Sequence, residues 1–176
     1  MPTDRQAAFP SRRVLVAGLG NELLRDDGVG VHLARLARPR LVGAAADLLR
    51  DDGDDLPDEG VAVVEVGTAV LDALHLFAWA DRVLAVDALQ ADGPPGAVYL
   101  CSAADVADGE TQVSLHELGL LAALRLLPEA ERPAVSVIGI EPAVIDYGLE
   151  LTPAVQAALP AALHHVCRLV EEWRRC

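Results

Sequence analysis

Five short apolar runs, separated by turn residues and by segments with helical spacing, constrain the fold of this chain more than any other feature. The first run ends in Gly18-Leu19-Gly20-Asn21, which is typical of a buried strand that meets a tight turn. Residues 29–38 then repeat apolar side chains at helical intervals. Strands that alternate with helices predict an α/β fold. The predicted strands are Val14–Ala17, Val61–Val66, Arg82–Asp87, Ala97–Cys101 and Ala134–Ile140.

The connection between the third and fourth strands fixes the direction of the fourth. Residues 88–96 are rich in Asp, Gly and Pro and contain no helical pattern. A parallel crossover needs a dozen or more residues, so the fourth strand is expected to run antiparallel to the third. Further helices are predicted at 69–79, from a Ser114-x-x-Glu117 capping box to about 127, and at 152–174 around Pro160, a residue able to kink or divide a helix. The sequence therefore predicts a three-layer α/β/α sandwich with a five-stranded mixed sheet and strand four antiparallel.

Length and charge limit the organisation and the partners. The 176 residues suit a single domain, 1–176, in which residues 1–11 form a loose arm and the acidic segment 44–60 an exposed loop. The formal net charge is −13, and every basic side chain is an arginine. This acidity argues against binding to nucleic acid or to an anionic membrane. The polar first residues and the absence of a long apolar span predict a cytoplasmic protein.

Three residues that are distant in sequence are expected to meet at one edge of the sheet. Asp27 follows the first strand and Glu65 ends the second, and ligands bind beyond the carboxyl ends of parallel strands. The segment 102–113 is long enough to bring His116, at the start of its helix, to the same edge. Two carboxylates and an imidazole suit a divalent metal. Simpler readings stay open, in which Asp26 or Asp27 caps a helix, Glu65 is an exposed strand-end acid and His116 faces solvent.

Other familiar sites are missing from the sequence. There is no G-x-S-x-G elbow, and a chain without lysine has no Walker phosphate-binding lysine. A dinucleotide-binding G-x-G-x-x-G fails at Leu23. Three cysteines without a CxxC pair predict no disulfide framework.

Four segments of the chain form a recognisable series. They are the strand and signature at 14–31 (G-x-G-N, then L-x-x-D-D-G-x-G), Glu65-Val-Gly-Thr68, Ser114-Leu-His-Glu-Leu-Gly-Leu120, and Ile138-Gly-Ile-Glu-Pro142 followed by Gly148-Leu-Glu-Leu-Thr-Pro153. In these segments, which span nearly the whole chain and follow in the family's order, the sequence resembles the hydrogenase maturation endopeptidases.

The resemblance implies a phosphorylase/hydrolase-like fold and an activity. The implied reaction removes the C-terminal extension of a nickel–iron hydrogenase large-subunit precursor after nickel insertion, with nickel supplied by that substrate. The implied catalytic and metal-contacting residues are Asp27, Glu65 and His116, where Glu65 departs from the commoner Asp. A monomer is expected. Two alternatives are a nickel-sensing assembly factor without proteolysis and a metal-dependent exopeptidase or amidohydrolase on the same fold.

Overall fold

The computed structural model describes residues 13–42, 56, 58–102 and 115–175, and gives only the backbone of 115–118. The predicted N-terminal arm, most of the acidic segment 44–60, the 103–113 part of the long loop and the Ser114 cap lie outside these residues. The single-domain assignment stays a prediction.

Five strands form one mixed sheet in the order β2-β1-β3-β5-β4. Neighbouring strands pair in parallel except for β4, which runs antiparallel to β5 and therefore to β3. The short 88–96 connection is thus followed by an antiparallel strand, as predicted, and the fold class is confirmed. The strands are β1 Arg13–Leu19, β2 Gly60–Gly67, β3 Arg82–Ala88, β4 Val98–Ser102 and β5 Ala134–Ile140.

Four α-helices cover the sheet in the described residues, together with 3-10 turns at Arg25–Gly28 and Glu129–Glu131. One face packs against α1 and α4, and its core includes Val16, Leu84 and Val166. The other face packs against α2 and α3, with Leu15, Val83 and Leu120 in its core. The helices are α1 Val29–Leu41, α2 Leu74–Trp79, α3 Leu115–Leu124 and α4 Pro153–Arg175. We call the two surfaces the α1/α4 face and the α2/α3 face.

The long helix predicted at 152–174 is confirmed as α4, which continues through Pro160 without division. Two other helix predictions need correction. The helix predicted from residue 69 begins only at Leu74, because residues 66–74 form successive turns closed by bonds such as Asp72 N–H to the Ala69 carbonyl. Neither Asp26 nor Asp27 caps α1, whose N-cap is Gly28 and has no side-chain cap bond. Both aspartates instead lie buried within the preceding 3-10 turn.

No helix among the described residues is both long enough and apolar enough to cross a membrane.

Candidate active site at the carboxyl edge of the sheet

Asp27 is fixed against the end of β1 by a turn that only glycine allows. Gly20 has a φ of +116°, and a Cβ on it would lie 1.8 Å from the Asp27 carbonyl oxygen. The Gly20 amide donates to the Gly67 carbonyl at 3.2 Å, which ties the ends of β1 and β2 together. The Asp27 carboxylate is 8% exposed and accepts the Asn21 amide at 2.9 Å. The G-x-G-N segment therefore sets the position of this carboxylate.

Two further glycines allow α1 to pack closely against the same edge of the sheet. A Cβ on Gly30 would lie 2.1 Å from the Val86 carbonyl of β3, and one on Gly18 would lie 2.4 Å from the Gly30 carbonyl. Such distances leave no room for a side chain, so the first turn of α1 sits directly on β1 and β3. The glycines of the signature thus bring the turn that carries Asp27 next to the carboxyl end of β3.

Asp26 fastens this turn to the segment 143–152. Its carboxylate is fully buried and accepts four hydrogen bonds: the amides of Ala143 (2.8 Å), Val144 (3.0 Å) and Thr152 (2.7 Å) and the Thr152 hydroxyl (2.8 Å). Burial alone would raise the pKa of Asp26, but the bonds from Thr152, Val144 and Ala143 outweigh it and lower the pKa. An ionised carboxylate is therefore the form that the fold stabilises.

Glu65 points to the α1/α4 face. Side chains alternate along β2, with Val63 in the α1/α4 core and Val64 packed on the α2/α3 side, so Glu65 returns to the first face. Its Oε2 accepts Arg35 Nη2 at 2.6 Å, and its Oε1 lies 3.5 Å from Arg38 Nη2. These bonds hold the carboxylate against the arginines of α1.

Asp87, near the end of β3, has the opposite orientation. Val86 belongs to the α1/α4 core and Ala85 to the α2/α3 core, so alternation directs Asp87 to the α2/α3 face. This carboxylate is fully buried, and one oxygen accepts the Ala88 amide at 2.9 Å. Because β3 is a direct neighbour of β1, Asp87 and the Asp27 turn stand at adjacent strand ends.

The helix that contains His116 covers this second face. Its residues Leu120, Ala123 and Leu124 pack in the α2/α3 core, and His116 lies in its first turn. A cavity of about 500 Å³ opens between α3 and the turns after β2. It is lined by Thr68, Ala69, Val70, Leu71, Asp72, Gly119, Ala122, Ala123 and Leu126. Since Gly119 follows His116 by three residues, the first part of α3 lies beside the carboxyl end of β2.

Comparisons with known proteins agree with this arrangement. A sequence profile of the family described as hydrogenase maturation protease matches residues 53–169. The chain is 30% identical over 165 residues to the hydrogenase 2 maturation protease of Escherichia coli, covering 91% of this chain and 92% of that protein. The chain belongs to the hydrogenase maturation protease family.

Solved structures of hydrogenase maturation proteases share the fold. The hydrogenase maturating endopeptidase HybD from E. coli superposes with a TM-score of 0.73 at 28% identity, over 91% of this chain and 93% of that one. The [NiFe] hydrogenase maturation protease HybD from Thermococcus kodakarensis gives 0.71 at 27% identity, over 90% and 99%. The predicted family and enzyme class, a hydrogenase maturation endopeptidase, are thereby confirmed.

In this hydrogenase maturation protease the predicted site residues are placed unequally. Asp27 lies at the carboxyl edge, and His116 lies on the helix of the α2/α3 face, although its side chain is outside the described residues. Glu65 lies at the same edge but projects to the opposite face. Among the side chains that are described, no three of His, Cys, Asp or Glu gather as a metal-ligand set. The assignment of Asp27, Glu65 and His116 as ligands stays a prediction.

Sequence reasoning missed three buried carboxylates among the described residues: Asp26, Asp87 and Glu141, of which Glu141 accepts the Ala91 amide and the Tyr99 hydroxyl. Asp26 was considered only as a cap, and Asp87 only as the last residue of a strand. A charge that ends a run of buried residues is itself a signal, because an aspartate in that setting must be paired or functional. Counting side-chain alternation along β3 would have placed Asp87 on the same face as α3.

Proposed function

We propose that this protease removes the C-terminal extension of a nickel–iron hydrogenase large-subunit precursor after nickel insertion. The observation that carries the proposal is the pair of buried carboxylates at the carboxyl edge of the sheet, Asp27 in the turn that follows β1 and Asp87 near the end of the adjacent strand β3. The helix of His116 covers the face on which Asp87 lies. Family membership supplies the class of substrate. Carboxylate oxygens and a neutral imidazole nitrogen are donors that nickel and zinc accept.

Nickel enters this proposal as part of the substrate. Asp27, Asp87 and His116 contact the metal that the precursor carries, so that cleavage depends on its presence. Buried carboxylates beside the reacting bond also suit the activation of water, which peptide-bond hydrolysis requires. The cavity between α3 and residues 68–72 receives the side chains around the cleaved bond, because it begins at the end of β2 and runs along α3.

In this proposal Glu65 does not contact the metal, although the sequence predicts that it does. To reach a metal shared with α3 it would have to leave Arg35 and turn to the other face of the sheet. Arg35 also pairs with Glu22 at 3.1 Å, so that Glu65 belongs to an ion-pair chain on the outer surface of α1. We therefore assign the second carboxylate of the site to Asp87.

The decisive experiment follows the intact mass of a nickel-loaded precursor and of a nickel-free precursor, each mixed with the protease. Loss of a defined C-terminal mass from the nickel-loaded sample alone is the expected result. Cleavage of both samples would keep the protease and remove the nickel dependence. A stable complex without cleavage would instead favour the nickel-sensing assembly factor.

A matched pair of substitutions tests the carboxylate assignment. Asp87→Asn is expected to lower the cleavage rate by about 10² or more, as loss of a group that acts on the reacting atoms does. Glu65→Gln is expected to remain within about threefold of the wild-type rate, because a paired surface carboxylate contributes little. The reverse pattern would restore the assignment of Glu65.

The proposal includes the cellular compartment of the reaction and the oligomeric state of the protease. We place the reaction in the reducing cytoplasm, where a thiol such as that of Cys167 stays reduced. We propose a monomer, which sedimentation of the purified protein tests directly.

A further inference from the structure

Five large apolar side chains are exposed together on two adjoining segments of the carboxyl edge. We call them the apolar platform. Elsewhere in the described residues, exposed large apolar side chains occur as Leu36 on α1, Leu100 on β4, and Leu71 and Leu126 at the cavity. The platform consists of Leu23 (60% exposed), Val144 (41%), Ile145 (45%), Tyr147 (83%) and Leu149 (67%).

Backbone hydrogen bonds hold the two segments of the platform together. The Gly148 amide donates to the Leu23 carbonyl at 3.0 Å, and the Arg25 amide donates to the Gly148 carbonyl at 2.9 Å. The buried Asp26 carboxylate accepts the amides of Ala143 and Val144. An exposed apolar surface on a fixed backbone loses little conformational entropy on binding, which favours a docking site.

The charges around the platform are mostly negative. Asp146 and Glu150 are exposed beside it, and Glu22 is there too but is paired with Arg35. Among the described residues Arg25 is the cation in contact with the platform, and its Nε donates to the Tyr147 carbonyl at 3.4 Å. The complementary surface is therefore apolar and flanked by Arg or Lys side chains.

We propose that the apolar platform docks the folded body of the large-subunit precursor, through an apolar surface with a basic fringe. This inference rests on the proposed function. The platform is continuous with the candidate site, because Asp26 binds it from the residue next to Asp27. A second copy of this chain fits poorly, since a two-fold interface would bring the acidic fringe close to itself. An anionic membrane would be repelled by the same acids.

The test compares two double variants in the full chain. Tyr147→Ser/Leu149→Ser removes the two most exposed platform side chains, and Leu36→Ser/Leu100→Ser removes two exposed leucines on α1 and β4. Thermal unfolding checks that both variants fold as the wild type does. Cleavage of the nickel-loaded precursor then gives kcat and KM. The platform variant is expected to raise KM about tenfold or more, with kcat within about twofold, whereas the control changes neither.

A charge reversal tests the basic fringe separately. Asp146→Arg/Glu150→Arg is expected to raise KM, and the effect is expected to shrink as salt is added, because screening weakens the attraction that the acids provide. An effect that does not depend on salt would overturn the basic fringe.

The remaining outcomes separate this inference from the proposed function. Unchanged KM in the platform variant overturns docking but leaves the cleavage proposal standing, and a fall in kcat at constant KM also overturns docking. If the wild type binds the immobilised precursor without cleaving it and the platform variant does not bind, docking stands and the proposed function fails. If the wild type neither binds nor cleaves, both fail. A wild-type dimer that the platform substitutions dissociate would assign the platform to a second copy.

Discussion

Replacing Asp26 with asparagine is expected to destabilise the fold more than any other single acid-to-amide change in the described residues outside the candidate site. The carboxylate accepts three bonds at Oδ2 and one at Oδ1, all while fully buried. If the amide oxygen of Asn replaces Oδ2, the amide nitrogen faces the Thr152 N–H, and two donors oppose each other. Loss of a charged acceptor with an unsatisfied donor costs roughly 2–4 kcal/mol.

The pH dependence has a definite sign. The pKa of Asp26 is lower in the folded protein than its ordinary value of 3.8. A depressed folded pKa gives stability that is complete above the unfolded value and is lost as pH falls through the folded pKa. The difference in stability between wild type and Asp26→Asn is therefore expected to be constant near pH 7 and to shrink below about pH 3.8.

Urea unfolding at pH 7 measures the cost directly, and a loss of about 3 kcal/mol corresponds to a Tm lower by roughly 6–12 °C for a chain of this size. Asp146→Asn is the matched control, because this exposed carboxylate accepts only the Tyr147 amide among the bonds described. It is expected to change stability by less than about 0.5 kcal/mol. An Asp26→Asn protein as stable as the control would refute the reasoning.

Three further predictions concern the turn, the cavity and a thiol. Gly20→Ala is expected to lower the free energy of unfolding, measured in urea, by at least about 3 kcal/mol, because the added Cβ meets the Asp27 carbonyl. Gly119→Ala has open space at its Cβ and is expected to raise that free energy by up to about 1 kcal/mol through a more stable α3. Ala122→Trp fills the cavity and is expected to lower precursor cleavage at unchanged stability, while Ala157→Trp on the exposed surface of α4 changes neither. Burial raises the pKa of the Cys167 thiol despite Arg40, so alkylation followed by peptide mapping is expected to be slow at pH 7 and to accelerate with rising pH.

The fold was predictable because strand boundaries and strand directions depend on local features of the sequence. Strand β5 begins and ends where the apolar run predicts, at 134 and 140. The direction of β4 follows from the length of the 88–96 connection alone. The boundaries of α2 were not predictable in this way, since residues 69–73 have helix-forming composition. Val70 and Ala73 are buried in the α2/α3 core, and the segment reaches it through turns rather than as a helix.

The candidate site was predictable only as far as the edge of the sheet on which it lies. Resemblance and strand order both point to the carboxyl edge, and Asp27 lies there. A motif gives a residue its place along the chain but not the face to which its side chain projects. For Glu65 and Asp87 that face depends on the exact strand register, in which Gly18 pairs with both Glu65 and Val86.

That register gives the two carboxylates opposite environments, although β2 and β3 both pair with β1 and end at the same edge of the sheet. With Gly18 opposite Val86, Asp87 falls one step further along β3, and one step reverses the face of the sheet. Glu65 meets the arginines of α1, which satisfy its charge at a half-exposed surface. Asp87 is fully buried on the α2/α3 face, which α3 covers. Of the two carboxylates, Asp87 is therefore the one that shares a face with the helix of His116, and this is why the cleavage rates of the Asp87 and Glu65 variants decide the site.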